Sequence, residues 1–115
     1  MWTVYAIQDE GGRPYAGVSN QADNRLREHN AGKCEATRGR QWSTLFRLDF
    51  DSKSDALLVE RWLKKGDTKR KRAHVLQMAQ TQSRGVTAQA VLMAARKWRE
   101  ATIRENGAYR SVGSE

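Results

Sequence analysis

Five side chains stand out by type and spacing. Tyr5 and Tyr15 lie ten residues apart on two extended segments separated by turn residues. Arg25 and His29 are spaced i, i+4, which puts them on one face of a helix. Glu60 falls between Ala56 and Leu57 on a helical wheel, beside Leu63. A carboxylate at the edge of an apolar stripe needs a partner, because unpaired burial costs several kcal/mol. A salt bridge, for instance to Arg25, is one solution. A divalent cation held by oxygen ligands, with water filling most of its shell, is the other. The ordinary role of paired tyrosines on a hairpin is cross-strand packing. The ordinary role of an isolated Arg/His pair is a solvated helix face, here flanking a buried stripe of Ala22 and Leu26. Gly17, two residues after Tyr15, lets something approach its strand closely.

The elements that must position these residues are legible in outline. Trp2-Thr-Val-Tyr-Ala-Ile-Gln8 alternates and is rich in β-branched and aromatic residues, so it is a strand. Asp9 to Pro14 is turn chemistry, and Tyr15 to Ser19 resumes a strand, giving a hairpin. Ser19 or Asn20 can cap a short helix that runs to Asn30 and closes at Gly32, with Asp23 in its first turn. Residues 33–41 form a basic loop in which Lys33, Arg38 and Arg40 suit phosphate contact. Trp42 to Phe50 is a third strand, and Trp42 reads as core in preference to a platform for an unpaired base. Ser52 or Ser54 caps a second helix that ends at Gly66. Two more helices follow, Thr68 to Gln80 and Thr87 to Asn106, the latter stopped by Gly107 and trailed by a frayed tail from Ala108. Val91, Ala95, Trp98 and Thr102 share one face of that last helix, which is core if the helix folds back and an interface to a partner or a second copy if it does not. Trp2, Trp62 and Trp98 read as packing residues, and His74 has no evident role.

Composition narrows the partner. The chain has 115 residues, 21 basic and 13 acidic, for a net charge of +8. A small chain this basic points to a polyanion, most often nucleic acid. The charge is uneven: residues 1–66 carry 11 basic and 9 acidic side chains, and residues 67–115 carry 10 and 4. The densest run includes Lys64, Lys65, Lys69, Arg70, Lys71 and Arg72. These boundaries divide the chain into a nearly neutral unit, 1–66, and a basic helical extension, 67–115. No apolar run approaches the ~18 residues of a membrane helix. No basic n-region or cleavage site marks the start. The lone Cys34 excludes an internal disulfide and fits a reducing cytoplasm. It makes no zinc site with His29, since no second Cys/His pair stands at ligand spacing.

Five short stretches together resemble a known family. Val-Tyr-Ala at 4–6, Tyr-Ala-Gly at 15–17, Asn-Arg-Leu-Arg-Glu-His-Asn at 24–30, Thr-Arg-Gly-Arg at 37–40 and Ala-Leu-Leu-Val-Glu-Arg-Trp-Leu-Lys-Lys at 56–65 look like the GIY-YIG endonucleases, in order and in spacing. The likeness is to compact single-domain bacterial or phage members, related to structure-specific branched-DNA nucleases. It implies an α+β fold: a small, mainly antiparallel three-stranded sheet flanked by helices, here with a C-terminal helical extension. It implies that Tyr5, Tyr15, Arg25, His29 and Glu60 are catalytic, with Glu60 holding one Mg²⁺ or Mn²⁺ that binds together with DNA. It implies a tyrosinate base, Tyr5 or Tyr15, favoured in its ionised form by Arg25, the metal and His29, or else His29 as acceptor of the tyrosine proton. The implied products are a 5′-phosphate and a 3′-hydroxyl, cut with structure selectivity or weak sequence selectivity. Departures concern packing: Thr3-Val4 stands for Gly-Ile and Ala16 for Ile. Val18 occupies the place of a lysine found in excision-repair members, which argues against a lysine-assisted route. The rival reading is a non-catalytic nucleic-acid-binding or interaction module on the same scaffold.

Overall fold

The computed structural model describes residues 1–113, with side chains described through Glu105. Three strands, β1 (Trp2–Asp9), β2 (Pro14–Ser19) and β3 (Trp42–Phe50), form one sheet in the order β2-β1-β3. Four helices flank it: α1 (Ala22–Asn30), α2 (Lys53–Leu63), α3 (Thr68–Thr81) and α4 (Arg84–Gly113). The fold is α+β, and both strand pairings are antiparallel. The central strand β1 is buried on both faces from Thr3 to Ile7, which is why its two alternating sets are both largely apolar.

The two faces carry different loads. Val4, Ala6, Phe46, Leu48 and Phe50 meet Ala56, Val59 and Leu63 of α2, Val75 of α3, and Ala88, Val91, Leu92 and Ala95 of α4 in one core. Tyr5, Ile7 and Trp42 form a separate cluster on the other face, with Tyr15 and Leu26 packed against it under α1. A bulge sorts β3 between them. Ala6 pairs with Phe46 but Ile7 pairs with Thr44, so Leu45 is the extra residue. Simple alternation would put Trp42 on the same face as Phe46 and Leu48. The inserted residue turns it to the α1 face instead.

Several boundaries differ from the sequence reading. The N-cap of α1 is Gln21, without a side-chain bond, because the Ser19 hydroxyl is used one step earlier to accept the Gln21 amide at 2.9 Å. Ser52, not Ser54, caps α2 by accepting the Asp55 amide at 3.1 Å. That helix stops at Leu63, and Gly66, with φ +67°, makes the turn into α3. Ser83 rather than Thr87 caps α4: its hydroxyl accepts the Val86 amide, while Thr87 donates back to the Ser83 carbonyl. The last helix also runs through Gly107. A glycine inside a helix costs only ~1 kcal/mol and no proline follows to enforce a stop. Of the tail expected from Ala108, residues 108–113 continue α4 and 114–115 lie outside the described residues. Val91 and Ala95 are fully buried and Trp98 packs on the core, so this helix folds back. No described helix is long and apolar enough to cross a membrane.

Candidate active site

The hairpin that presents the tyrosines is tied at its turn by Asp9. One carboxylate oxygen accepts the amides of Gly11 at 3.0 Å and Arg13 at 2.8 Å, and the other accepts from Arg40 at 3.2 Å. Burial alone would raise the Asp9 carboxyl, but these donors hold it below its ordinary range. The register then sets Tyr5 opposite Gly17 and Ile7 opposite Tyr15, all on the α1 face. A Cβ on Gly17 would lie 2.5 Å from the Tyr5 hydroxyl oxygen. The close approach expected at Gly17 is therefore the Tyr5 ring itself, crossing the neighbouring strand.

Above the tyrosines sits His29, and here the sequence reading of α1 is reversed. Ala22 and Leu26 are only half-buried, whereas His29 is 0% exposed, the one buried side chain of that helix. Its stripe faces an aromatic, hydrogen-bonding surface and not an aliphatic one, so a polar ring fits it best. Nε2 of His29 is 3.1 Å from the Tyr5 hydroxyl and Nδ1 is 2.7 Å from the Thr37 hydroxyl. The Tyr15 ring packs edge-on to the imidazole at 5.0 Å, and Trp42 stands 6.4 Å away. Trp42 is 6% exposed and donates its indole N–H to the Thr37 carbonyl at 2.9 Å, so it is a wall of the site.

Electrostatics keep both central groups neutral. Burial pushes the Tyr5 phenol up to about 12, Tyr15 adds to the rise, and Arg25 opposes it. In the protein alone, removing the ring from water outweighs one nearby guanidinium, so burial disfavours the ionised form. Burial likewise lowers His29, with Arg25 adding to the effect and Glu28 opposing it.

Arg25 and Glu60 do not pair with each other. Arg25 bonds Glu28 at 3.1 Å on the surface of α1. Glu60 comes from α2, on the other side of the sheet, and meets Lys64 at 3.6 Å. The Lys64 ammonium also lies 5.9 Å from the centroid of the Tyr15 ring. Lys64 is thus the neighbour shared by the Glu60 carboxylate and Tyr15 of the edge strand β2. Among the described residues no group of three His, Cys, Asp or Glu side chains stands together. A lone, partly exposed carboxylate suits a cation that keeps most of its shell for water and phosphate oxygens. A cavity of about 250 Å³ opens at this edge, lined by Pro14, Tyr15, Ala16, Leu63, Lys64, Thr68 and Arg72.

The basic residues divide. Lys33, Lys65, Lys69 and Arg70 are exposed. Arg38 is exposed but donates to the Gly32 carbonyl at 2.8 Å. Arg40 is committed to Asp9, the Ala36 carbonyl and the face of Trp42. Lys71 turns inward, donating to the carbonyls of Trp62 at 2.8 Å and Lys65 at 2.9 Å, with its charge 4.9 Å from the Trp62 ring centroid. Two residues that sequence reasoning passed over also shape the site. Asn30, read only as a helix stop, accepts the Trp42 amide and donates to the Trp42 carbonyl, pinning α1 to β3. Thr37, fully buried, lies in a stretch noticed for its arginines. A threonine in a basic loop carries no signal of burial.

Comparison with known proteins bears on the family of the chain. A family model described as the GIY-YIG catalytic domain matches residues 1–73. A UPF0213 protein of Vibrio parahaemolyticus is 35% identical over 69 residues, 55% of this chain and 61% of that protein, so this match spans less than two thirds of that relative's length. A UPF0213 protein of Cupriavidus necator is 34% identical over 83 residues, 70% of this chain and 90% of the relative. Another, from the archaeon Halobacterium salinarum, is 42% identical over 62 residues, covering 52% of this chain and 80% of the relative. No solved structure matches the chain.

Proposed function

The chain belongs to the GIY-YIG nuclease family, and from that membership we propose that it is a divalent-metal-dependent DNA endonuclease. The observation that carries this reading is the buried contact between Tyr5 and His29, flanked by Tyr15 and Arg25, with Glu60 and Lys64 at the adjoining sheet edge. Hydrolysis of a phosphodiester needs a deprotonated water in line with the leaving oxygen and positive charge on the phosphoryl oxygens. Tyr5 stands as the base. Burial raises its pKa and keeps free tyrosinate scarce at neutral pH, so Tyr5 acts as a relay. It takes a proton from the attacking water as its own passes to Nε2 of His29. The water oxygen bonds to phosphorus, the bond to the 3′ oxygen breaks, and that oxygen takes a proton from solvent. The products are a 5′-phosphate and a 3′-hydroxyl. Arg25 clamps a non-bridging oxygen with its planar fork. Glu60 would hold one Mg²⁺ or Mn²⁺, which supplies positive charge at the phosphate and the leaving oxygen.

Lys64 and Arg72 line the cavity beside Tyr15, exposed Lys65, Lys69 and Arg70 adjoin them in the chain, and Lys33 is exposed beyond α1, all suited to contact the DNA backbone. α3 and α4 each give one face to the core, and no further unit for reading base edges stands among the described residues. The proposed selectivity is therefore for DNA structure or for short, weak sequence preference. The test is purified protein with Mg²⁺ or Mn²⁺ on single-stranded, duplex, flap and four-way DNA. The wild type cuts, while Glu60→Gln binds DNA and does not cut. Cleavage by Glu60→Gln at a comparable rate removes the metal assignment. A wild type that binds every substrate and cuts none leaves a binding module.

A further inference from the structure

We propose that Thr37 is a positioning residue whose hydroxyl locks His29 in the tautomer protonated at Nδ1, leaving Nε2 open toward Tyr5. Its catalytic consequence rests on the reading of Tyr5 and His29 given above; the hydrogen-bond assignment does not.

His29 and Thr37 are each 0% exposed, so solvent takes no part in choosing the tautomer. The Thr37 hydroxyl touches two groups: Nδ1 of His29 at 2.7 Å and the Cys34 carbonyl at 3.3 Å. A carbonyl can only accept, so the hydroxyl proton goes to Cys34. The hydroxyl oxygen is then left to accept, and Nδ1 must carry the proton it accepts. Nε2 consequently holds a lone pair, and Tyr5 donates to it across 3.1 Å. In this order every proton of the chain Tyr5, His29, Thr37, Cys34 has an acceptor. Reversed, with Thr37 donating to Nδ1 and Nε2–H donating to Tyr5, the Tyr5 proton has no acceptor among the described residues until the attacking water enters the site. Native interiors avoid that outcome.

The backbone holds Thr37 in place for this role. Its amide donates to the Cys34 carbonyl at 3.2 Å and its carbonyl accepts the Trp42 indole N–H at 2.9 Å. The side chain is therefore aimed by a 3-10 turn on one side and by the wall of the site on the other. Only a hydroxyl can accept from a ring N–H and donate to a carbonyl through one atom. Valine has the same shape and can do neither.

The experiment reads the tautomer directly. His74 is exposed and has no place in the site, so a His74→Gln background leaves His29 as the single histidine. Nitrogen-15 NMR of that protein, without DNA or metal, should show Nδ1 protonated and Nε2 unprotonated. Thr37→Ser should keep this pattern; Thr37→Val should lose it to the other tautomer or a mixture. On DNA, Thr37→Val should lower turnover by ~10- to 100-fold, at or below the lower limit of what a positioned general base contributes. DNA affinity should stay unchanged, and Thr37→Ser should recover turnover to within a few-fold. A wild-type spectrum with the proton on Nε2 overturns the proposal, even if Thr37→Val does not fold. So does a folded Thr37→Val that keeps both the Nδ1–H pattern and wild-type turnover. A switched tautomer with unchanged cleavage supports the lock and overturns instead His29 as the acceptor of the Tyr5 proton.

Discussion

His29 is neutral because it is buried, and this one residue sets the pH response of the site. Burial and then Arg25 depress its pKa below the ordinary 6.5, with Glu28 opposing. Tyr5, Tyr15, Thr37 and Trp42 complete its surroundings. The folded state resists protonation, so as pH falls through about 6.5 the unfolded chain takes up the proton first. Stability from this group is full above that pH and declines as pH drops toward the depressed folded value. Denaturant melts at pH 7.5 and 5.5 should show the loss, and His29→Gln should blunt the difference. Cleavage needs the neutral ring. It should hold at pH 6.5 and fall about tenfold per unit only below the depressed pKa. A fall that begins above pH 7 would count against His29 as acceptor. Gly17 gives a second residue-scale prediction. Gly17→Ala places a methyl 2.5 Å from the Tyr5 oxygen, which must push the ring off His29. Turnover should drop ~10²-fold with little change in DNA affinity; wild-type turnover would show that the Tyr5–His29 distance does not matter.

At the scale of elements, the site exists because a hairpin, a helix and a bulged strand converge. Asn30 joins two of them by matching both the amide and the carbonyl of Trp42. Asn30→Ala should cost ~2 kcal/mol by denaturant unfolding, since two backbone groups lose their partner. The basic run at the start of α3 separates by direction. Lys69 and Arg70 point to solvent, whereas Lys71 closes the end of α2 and covers Trp62. Lys69→Ala should reduce the salt slope of DNA affinity by roughly one unit and leave stability unchanged. Lys71→Ala should do the opposite, lowering stability by ~1–2 kcal/mol with no change of slope. A full unit lost from the slope in Lys71→Ala would put that lysine on DNA after all. The types and order of the elements were legible from alternation, helical spacing and turn residues, and of the expected caps only Ser52 serves as one. The bulge at Leu45 was not, because Trp42, Thr44, Phe46, Leu48 and Phe50 alternate without interruption in the sequence.

For the whole molecule, the question is how far residues 1–66 stand apart from the rest. Val75, Ala88, Val91, Leu92 and Ala95 lie in the same core as Val4, Phe46 and Leu58. Leu92→Ala should therefore destabilise the entire chain by ~2–4 kcal/mol in a single transition. A chain ending at Gly66 should fail to fold cooperatively by circular dichroism. Cooperative unfolding of that fragment would show that the first 66 residues are independent. The net charge of +8 has the same shared character. Lys71 is spent on closing α2, Arg84 and Arg96 pair with Asp49 and Asp55, and Lys64 and Arg72 line the cavity beside Tyr15.

The sequence by itself determined which side chains were available for chemistry and the order of elements carrying them. Two tyrosines on a hairpin, an arginine and a histidine one helical turn apart, and a glutamate at a stripe edge follow from local spacing alone. Tertiary structure decided what those groups are in place. It buried His29 where spacing predicted a flank, set burial against the charge of Arg25 at Tyr5, and gave Glu60 to Lys64 instead of Arg25. It also drew Thr37 out of a polar loop into contact with the imidazole. The reason is the same in each case. Propensity and periodicity act over a few residues, whereas burial, dielectric and hydrogen-bond partners are set by residues that meet only after the chain has folded.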